Sequence, residues 1–262
     1  GIVYVPGVDK GKFELTEQGR NLINSKNMEF VMQRQIAKIQ YPSPIKVRGT
    51  EKIKLIPLTA TIKILKSVKD LSRSEVMMFV ITIENFSTID QSISEILKFR
   101  ENLKKIKGNL KRRKFRDEVG IKKLNLFYKN EDFSIREKKG KKVDKSEFLR
   151  TKLRNHKDYA DSIFRYFIST GLFKLNKKSR LEISKINEKD ADYLLETIGL
   201  EPKKFENDEK TFVKNYMGKE NSISLYTDKL DNLLNKFDYL KKLSSTLDLK
   251  INTTEIDKRF KN

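Results

Sequence analysis

Ser146-Glu-Phe-Leu-Arg150-Thr-Lys-Leu-Arg-Asn-His-Lys-Asp158-Tyr-Ala-Asp-Ser-Ile-Phe-Arg165-Tyr-Phe-Ile-Ser-Thr170-Gly171 is the stretch on which the fold turns. Within it Ala160, Ile163, Phe164, Phe167 and Ile168 recur at i, i+3, i+4, i+7 and i+8, the apolar stripe of an α-helix. Gly171 is the natural terminator of that helix. Beyond it Leu172-Phe-Lys-Leu175 and Arg180-Leu-Glu-Ile-Ser184 flank the polar turn Asn176-Lys-Lys-Ser179, which predicts a β-hairpin. A helix that ends at glycine and runs into a short two-stranded hairpin is the closing half of a winged-helix unit.

Working back towards the N-terminus, Pro57 opens a helix where its missing N–H costs nothing, and Leu58, Ile62 and Leu65 mark its buried side. Leu71-Ser-Arg-Ser-Glu-Val76 follows after a tight turn. Ser72 and Glu75 have capping-box spacing, with Leu71 placed to staple onto Val76. Two helices so closely joined suggest a helix-turn-helix. A second cap, Thr88-x-x-Gln91, is expected to start the helix that carries Ile89, Ile93, Ile96, Leu97 and Leu103. Asp132 to Lys145 reads as a charged loop. At the chain start, Gly1-Ile-Val-Tyr-Val and Lys12-Phe-Glu-Leu-Thr16 repeat the hairpin pattern, followed by a polar helix from Thr16 and an amphipathic one from Met28 to Ile39.

The expected fold is therefore mainly α with small β-hairpin wings, a tandem winged-helix architecture. Residues 1–50 are read as the remnant of a first winged-helix unit, with the natural gene expected to begin earlier. Residues 51–186 form the second unit with an inserted basic helical segment, and 187–262 a helical connector.

Charge narrows the partners. The 57 Lys+Arg exceed the 36 Asp+Glu by 21, with a pI near 9.8. The excess is concentrated: residues 98–157 hold 23 Lys+Arg and eight Asp+Glu, a net of +15. From 187 to 262, 14 basic residues meet 15 acidic ones, a net of −1. Such a cationic band is the footprint of phosphate binding through counterion release, and five of its members are Arg100, Arg112, Arg113, Arg116 and Arg136. With no cysteine and a single histidine, His156, thiolate zinc sites, disulfides and cysteine nucleophiles are excluded. The longest apolar run, Val76 to Ile83, is far below the roughly 20 residues of a membrane span, and no export leader opens the chain. A cytoplasmic protein with double-stranded DNA as partner, and no membrane, is expected.

The helix before a wing enters the major groove with its N-terminal residues. Here that end is polar. Arg can grip guanine O6 and N7, Asn adenine N6 and N7, and Asp can accept from cytosine N4. Arg154, Asn155, Asp158 and Asp161 carry this base-reading chemistry, with Arg165 a buried partner for one of the acids. Lys152 and Lys157 suit phosphates, and Thr151 opens the set. Arg73 and Ser74 are candidates at the preceding helix start. Lys107, Lys111, Arg112 and Arg113 in the basic band, and Lys177, Lys178 and Arg180 in the wing, are candidate backbone contacts.

These residues carry a resemblance. Thr151-Lys-Leu-Arg-Asn-x-x-Asp158-x-Ala-Asp161-x-x-x-Arg165-Tyr-Phe-x-x-Thr-Gly-Leu-Phe173 resembles the recognition region of type IIS restriction and nicking endonucleases of the AlwI type. So do Leu71-Ser-x-x-Glu75-x-x-x-Phe79, Phe99-Arg100 with Lys105-Ile-Lys-Gly108, and Gln40-Tyr-Pro-Ser43, with a fainter echo at Tyr216-x-Gly218. The resemblance implies that winged-helix domains read a short asymmetric site while a separate magnesium nuclease domain cuts at a fixed offset. It places Lys152, Arg154, Asn155, Asp158, Asp161 and Arg165 in the recognition helix. The sequence departs from that pattern by ending before such a nuclease domain, so magnesium is expected there and no cofactor in this chain.

Asp132-Phe-Ser-Ile-Arg-Glu137-Lys-Lys139 has the letters of a metal-nuclease site but lacks flanking apolar strands. His156 has no serine or cysteine partner, and Lys107-Gly108 and Gly140-Lys141 lack phosphate-loop spacing. The leading expectation is a DNA-recognition module that works with a nuclease domain or subunit. The alternatives are a winged-helix transcription or replication regulator, and a self-contained metal nuclease using Asp132 and Glu137.

Overall fold

A tight reversal at Lys69, held at φ 71° with its N–H on the Leu65 carbonyl, is where the middle of the chain takes its shape. In the computed structural model the described residues are 3–4, 14–24, 28–45, 50–131, 137–138, 141–142, 144–206, 208–219, 222–223 and 225. The chain divides into two units, Gly1–Ile223 and Ser224–Asn262. The architecture below is that of the first.

A two-stranded antiparallel pair, β1 (Val3–Tyr4) and β2 (Glu14–Leu15), opens the chain and is followed by α1 (Glu17–Asn24) and α2 (Met28–Ala37). The turn expected between the strands lies outside the described residues. From α2, Gln35 donates to the Met217 carbonyl at 3.0 Å and Arg34 to that of Ile223 at 3.2 Å, and Lys38, just past its end, donates to that of Lys219. These buried polar side chains satisfy carbonyls of a segment nearly two hundred residues on, as buried groups must be satisfied.

Pro57 stands at the first turn of α3 (Pro57–Val68), whose Leu58, Ile62, Ile64 and Leu65 are buried. After Lys69 comes β3 (Asp70–Leu71), then α4 (Arg73–Glu75), continued by a π-helical turn over Val76–Val80. The expected capping box is present: the Glu75 N–H donates to Ser72 Oγ and the Ser72 N–H to Glu75 Oε2 at 2.7 Å. The cap expected at Thr88 is not formed. Asn85, whose Oδ1 accepts the Ser87 N–H at 3.0 Å, starts a 3-10 turn over Phe86–Thr88 instead, and the Thr88 hydroxyl donates to the Asn85 carbonyl.

Two long helices, α5 (Ile89–Lys105) and α6 (Asn109–Phe127), follow, joined through Gly108 at φ 90°. Phe99 anchors both: it packs on Phe79 at 5.5 Å and stacks on Phe115 at 5.7 Å. The stretch expected to be a loop holds, among its described residues, a small antiparallel pair of β4 (Glu137–Lys138) and β5 (Lys141–Lys142). α7 (Lys145–Ile168) is 24 residues long and capped by Asp144, whose Oδ1 accepts the Glu147 N–H at 2.9 Å. It ends one turn before Gly171, at φ 70°. α6 and α7 approach closely at Gly120, where a Cβ would lie 2.7 Å from Leu153 Cδ1.

The second hairpin is β6 (Phe173–Leu175) with β7 (Leu181–Ile183), as expected. It gains a third strand, because β3 pairs antiparallel with β7 through Asp70 opposite Glu182 and Leu71 opposite Leu181, giving the order β3-β7-β6. α8 (Glu188–Ile198) packs on α3 and is tied to it by Lys66 and Asp192, and α9 (Glu209–Phe212) continues into a π-helical turn to Met217. The protein is mainly helical with one small three-stranded antiparallel sheet. No helix among the described residues is long and apolar enough to cross a membrane.

Candidate nucleic-acid interface

α7 has two faces with different work. Leu149, Leu153, His156, Ala160, Phe164 and Phe167 are buried against the core. Arg150, Arg154, Lys157, Asp158 and Arg165 are exposed on the opposite side, with Asp161 half-buried among them. Steps of three and four residues put these six on one surface of a 3.6-residue helix.

The helix start after the tight turn reaches this surface. Arg73 Nε lies 2.6 Å from Asp161 Oδ1, and its guanidinium sits over the Phe164 ring at 4.8 Å. Arg165 Nη1 approaches Asp161 Oδ2 at 3.7 Å, and Nη2 donates to Ser162 Oγ at 3.2 Å. The Arg73 hydrogen bond, with the charges of both arginines, holds the Asp161 carboxyl below the usual carboxylate range. Arg165 is thus paired as expected but exposed rather than buried, with 72% of its side chain in solvent. Lys157 bridges to Asp117 of α6 at 3.0 Å.

The other candidates fall around this surface. Asn155 and Thr151 are half-buried, and Ser74 is half-buried beside Arg73. Lys152 turns away from Arg154, its ammonium over the rings of Tyr128 at 4.7 Å and Phe148 at 5.2 Å. Lys107, Lys111 and Arg113 are exposed around the start of α6, while Arg112 donates from Nε to the Ile106 carbonyl at 2.8 Å. Lys177 and Lys178 are exposed at the hairpin tip, shaped by Asn176 Oδ1 accepting the N–H groups of Lys178 and Arg180.

Two basic residues counted with the cationic band or the wing have another role. Arg100 and Arg180 both clasp Glu75, whose side chain is 2% exposed. Arg100 Nε lies 2.6 Å from Oε1 and Arg180 Nη2 2.6 Å from Oε2, and Arg180 Nε reaches Asp70 Oδ1 at 2.9 Å. Asn176 Nδ2 donates to Asp70 Oδ2 at 3.0 Å. This network joins the capping box, β3, α5 and the hairpin, and takes these two arginines out of the set available to phosphates. Residues that sequence reasoning did not single out for the interface are Lys104, and Asp117 as the acid that fixes Lys157, while Arg116 was named only as a member of the cationic band. Their only sequence signal is membership of the basic stretch.

His156 is buried, with its Nε2 3.1 Å from the Tyr128 hydroxyl. Burial, helped by the charge of Lys152, brings its pKa down to about 4. An unfolded imidazole takes up a proton near 6.5 that the folded one refuses until about 4. Stability is therefore expected to fall as pH drops through this window, by at most roughly 3 kcal/mol. Urea titrations at several pH values check this, and a His156→Leu variant should lose that part of the pH dependence.

Among the described residues no group of three His, Asp or Glu side chains could hold a metal ion. Of the Asp132, Glu137 and Lys139 trio, Asp132 and Lys139 lie outside the described residues, and Glu137 is in β4.

A helical, strongly cationic protein that turns one charged helix face and a basic helical insertion outward has the chemistry of a nucleic-acid binder. The family model described as AlwI restriction endonuclease matches residues 1–260, and the chain belongs to that family. No curated protein matches it. Among solved structures it is similar to one titled "Crystal structure of pyrene- and phenanthrene-modified DNA in complex with the BpuJ1 endonuclease binding domain", at 11% identity and a TM-score of 0.44, covering 90% of this chain and 69% of that one.

Proposed function

We propose that this chain reads a short double-stranded DNA site as the recognition portion of a type IIS restriction or nicking endonuclease. Membership of a restriction endonuclease family supports DNA as the partner. On this reading residues 51–186 are a winged-helix unit with α5 and α6 inserted between its second and third helices. The order α3, β3, α4, then α7, β6, β7, with β3 added beside β7, supports it. The helix before the hairpin is then the one that lies in the major groove.

The observation that carries the proposal is the segregation of α7 into a core stripe and a charged stripe, the latter tied to Arg73 at the start of α4. On that stripe Arg154 and Asp158 have the donor and acceptor chemistry to read base edges, with Asn155 beside them. Arg73 and Arg165, aligned by Asp161, are set for guanine or phosphate. Lys157, Lys111, Arg113, Lys177 and Lys178 suit the backbone. Cleavage is assigned to a magnesium-dependent nuclease domain or subunit that acts with this chain.

The test is selection of bound duplexes from a random pool, followed by alanine variants on the selected site. Arg154→Ala and Asn155→Ala are each expected to cost about 1–3 kcal/mol on that site and to relax one base position. Equal losses on selected and scrambled duplexes would remove their base-reading role, and failure to enrich any sequence would remove the proposal.

A further inference from the structure

Between the hairpin and the helical insertion lies a cleft of about 440 Å³, a volume in the range of small-ligand sites. Its apolar floor is Phe99, stacked on Phe115, with Leu103. Its charged lining is unequal. The carboxylates of Asp70 and Glu75 are already engaged by Arg100 and Arg180. Lys104, Arg112, Arg116 and Lys178 also line the cleft, and no carboxylate among the described residues pairs with any of the four. Arg112 and Arg116 spend one N–H each on the carbonyls of Ile106 and Arg112, which fixes their stems and leaves the outer guanidinium N–H groups to a ligand. Four cations converging on one concavity with no neutralising partner are placed for a phosphate-bearing ligand.

The cleft and the charged stripe of α7 are joined through two neighbouring pairs of residues. Ser72 lines it, and the neighbouring Arg73 holds Asp161. Arg116 lines it, and the neighbouring Asp117 holds Lys157. We infer that this cleft seats the sugar-phosphate backbone of one DNA strand, gripped between Lys178 of the hairpin and Lys104, Arg112 and Arg116 of the insertion. The inference rests on the DNA-reading role proposed above and adds to it a sequence-independent clamp beside the reading helix. Arg100 and Arg180 act as positioning residues that hold the two walls together through Glu75.

The salt dependence of duplex binding tests it. With a random-sequence duplex pool as the probe, Lys104→Gln/Lys178→Gln and Arg112→Gln/Arg116→Gln are each expected to flatten the log–log slope by about 1.8, at ~0.9 per lost phosphate contact. Affinity should fall alike on every duplex, while Lys189→Gln, on exposed α8 surface, keeps the slope. The two lysine side chains make no hydrogen bond among the described residues, and the Lys178 N–H that shapes the hairpin tip is kept in glutamine, so this result stands even where the arginine pair disturbs folding. Unchanged slopes in variants that still fold and bind would overturn the clamp alone. No duplex binding by the unaltered chain would overturn the DNA-reading proposal and the clamp with it. Calorimetric binding of inorganic pyrophosphate that is lost in both double variants, with duplex slopes unchanged, would make the cleft a site for free anions and overturn the strand assignment.

Discussion

Glu75→Ala is expected to destabilise the protein by about 3–5 kcal/mol, the cost of breaking a buried ion pair by removing one partner. Glu75 Oε2 accepts from the Ser72 N–H and hydroxyl at 2.7 and 2.9 Å and from Arg180 at 2.6 Å, and Oε1 from Arg100 at 2.6 Å. Alanine would strand two guanidinium groups and one helix-cap N–H at once. Arg100 and Arg180 keep 22% and 23% of their side chains in solvent, which draws the expected figure towards the lower end. Glu75→Gln, retaining one acceptor oxygen and the shape, should recover part of the loss. Urea titrations of the two variants supply the measurement, and a loss under about 1 kcal/mol for alanine would mean the network is dispensable. Because the same carboxylate fixes the hairpin to α5, the alanine variant should also bind all duplexes more weakly without changing which site it prefers.

Phe164→Ala is expected to cost about 3–5 kcal/mol, the usual range for emptying a buried phenylalanine site. Its side chain is 1% exposed, at the place where α7 meets the start of α4. It also carries Arg73, whose guanidinium lies over the ring at 4.8 Å while it binds Asp161. The substitution therefore removes core volume and the platform for one interface arginine together. Tyr166→Ala, two residues away but 56% exposed, should stay within roughly 0.5 kcal/mol of the parent. Thermal melts of the pair decide it: similar losses in both would show that the two stripes of α7 are not divided as described.

How far the sequence could be read follows from the range of each interaction. α7, its glycine stop, the hairpin after it and the Ser72–Glu75 box are local patterns, and each is present. β3 was invisible because two residues carry no periodicity. They become a strand only by pairing with Leu181 and Glu182, more than a hundred positions on. The Thr88 cap is not formed: its hydroxyl donates back to the Asn85 carbonyl, and Asn85 Oδ1 caps the preceding 3-10 turn through the Ser87 N–H, a local alternative that spacing alone cannot rank. Arg100 and Arg180 looked like phosphate ligands because charge in a sequence carries no partner. Glu75, acid to both, lies 25 residues before one and 105 before the other. Lys152 looked like a phosphate ligand, yet it stands two residues from Arg154, a step of about 200° around a helix, and the rings of Tyr128, just past α6, and Phe148 of α7 claim its ammonium.

The division of α7 has an evolutionary corollary. The side chains of Arg150, Arg154 and Asp158 are exposed and make no hydrogen bond or ion pair among the described residues, so the alphabet on that stripe can be rewritten while the framework stays still. On the proposed DNA-reading role, a lineage built on this arrangement can change its target by drift at a few outward positions. Its diversity should accumulate there, and not in the aliphatic and aromatic contacts beneath.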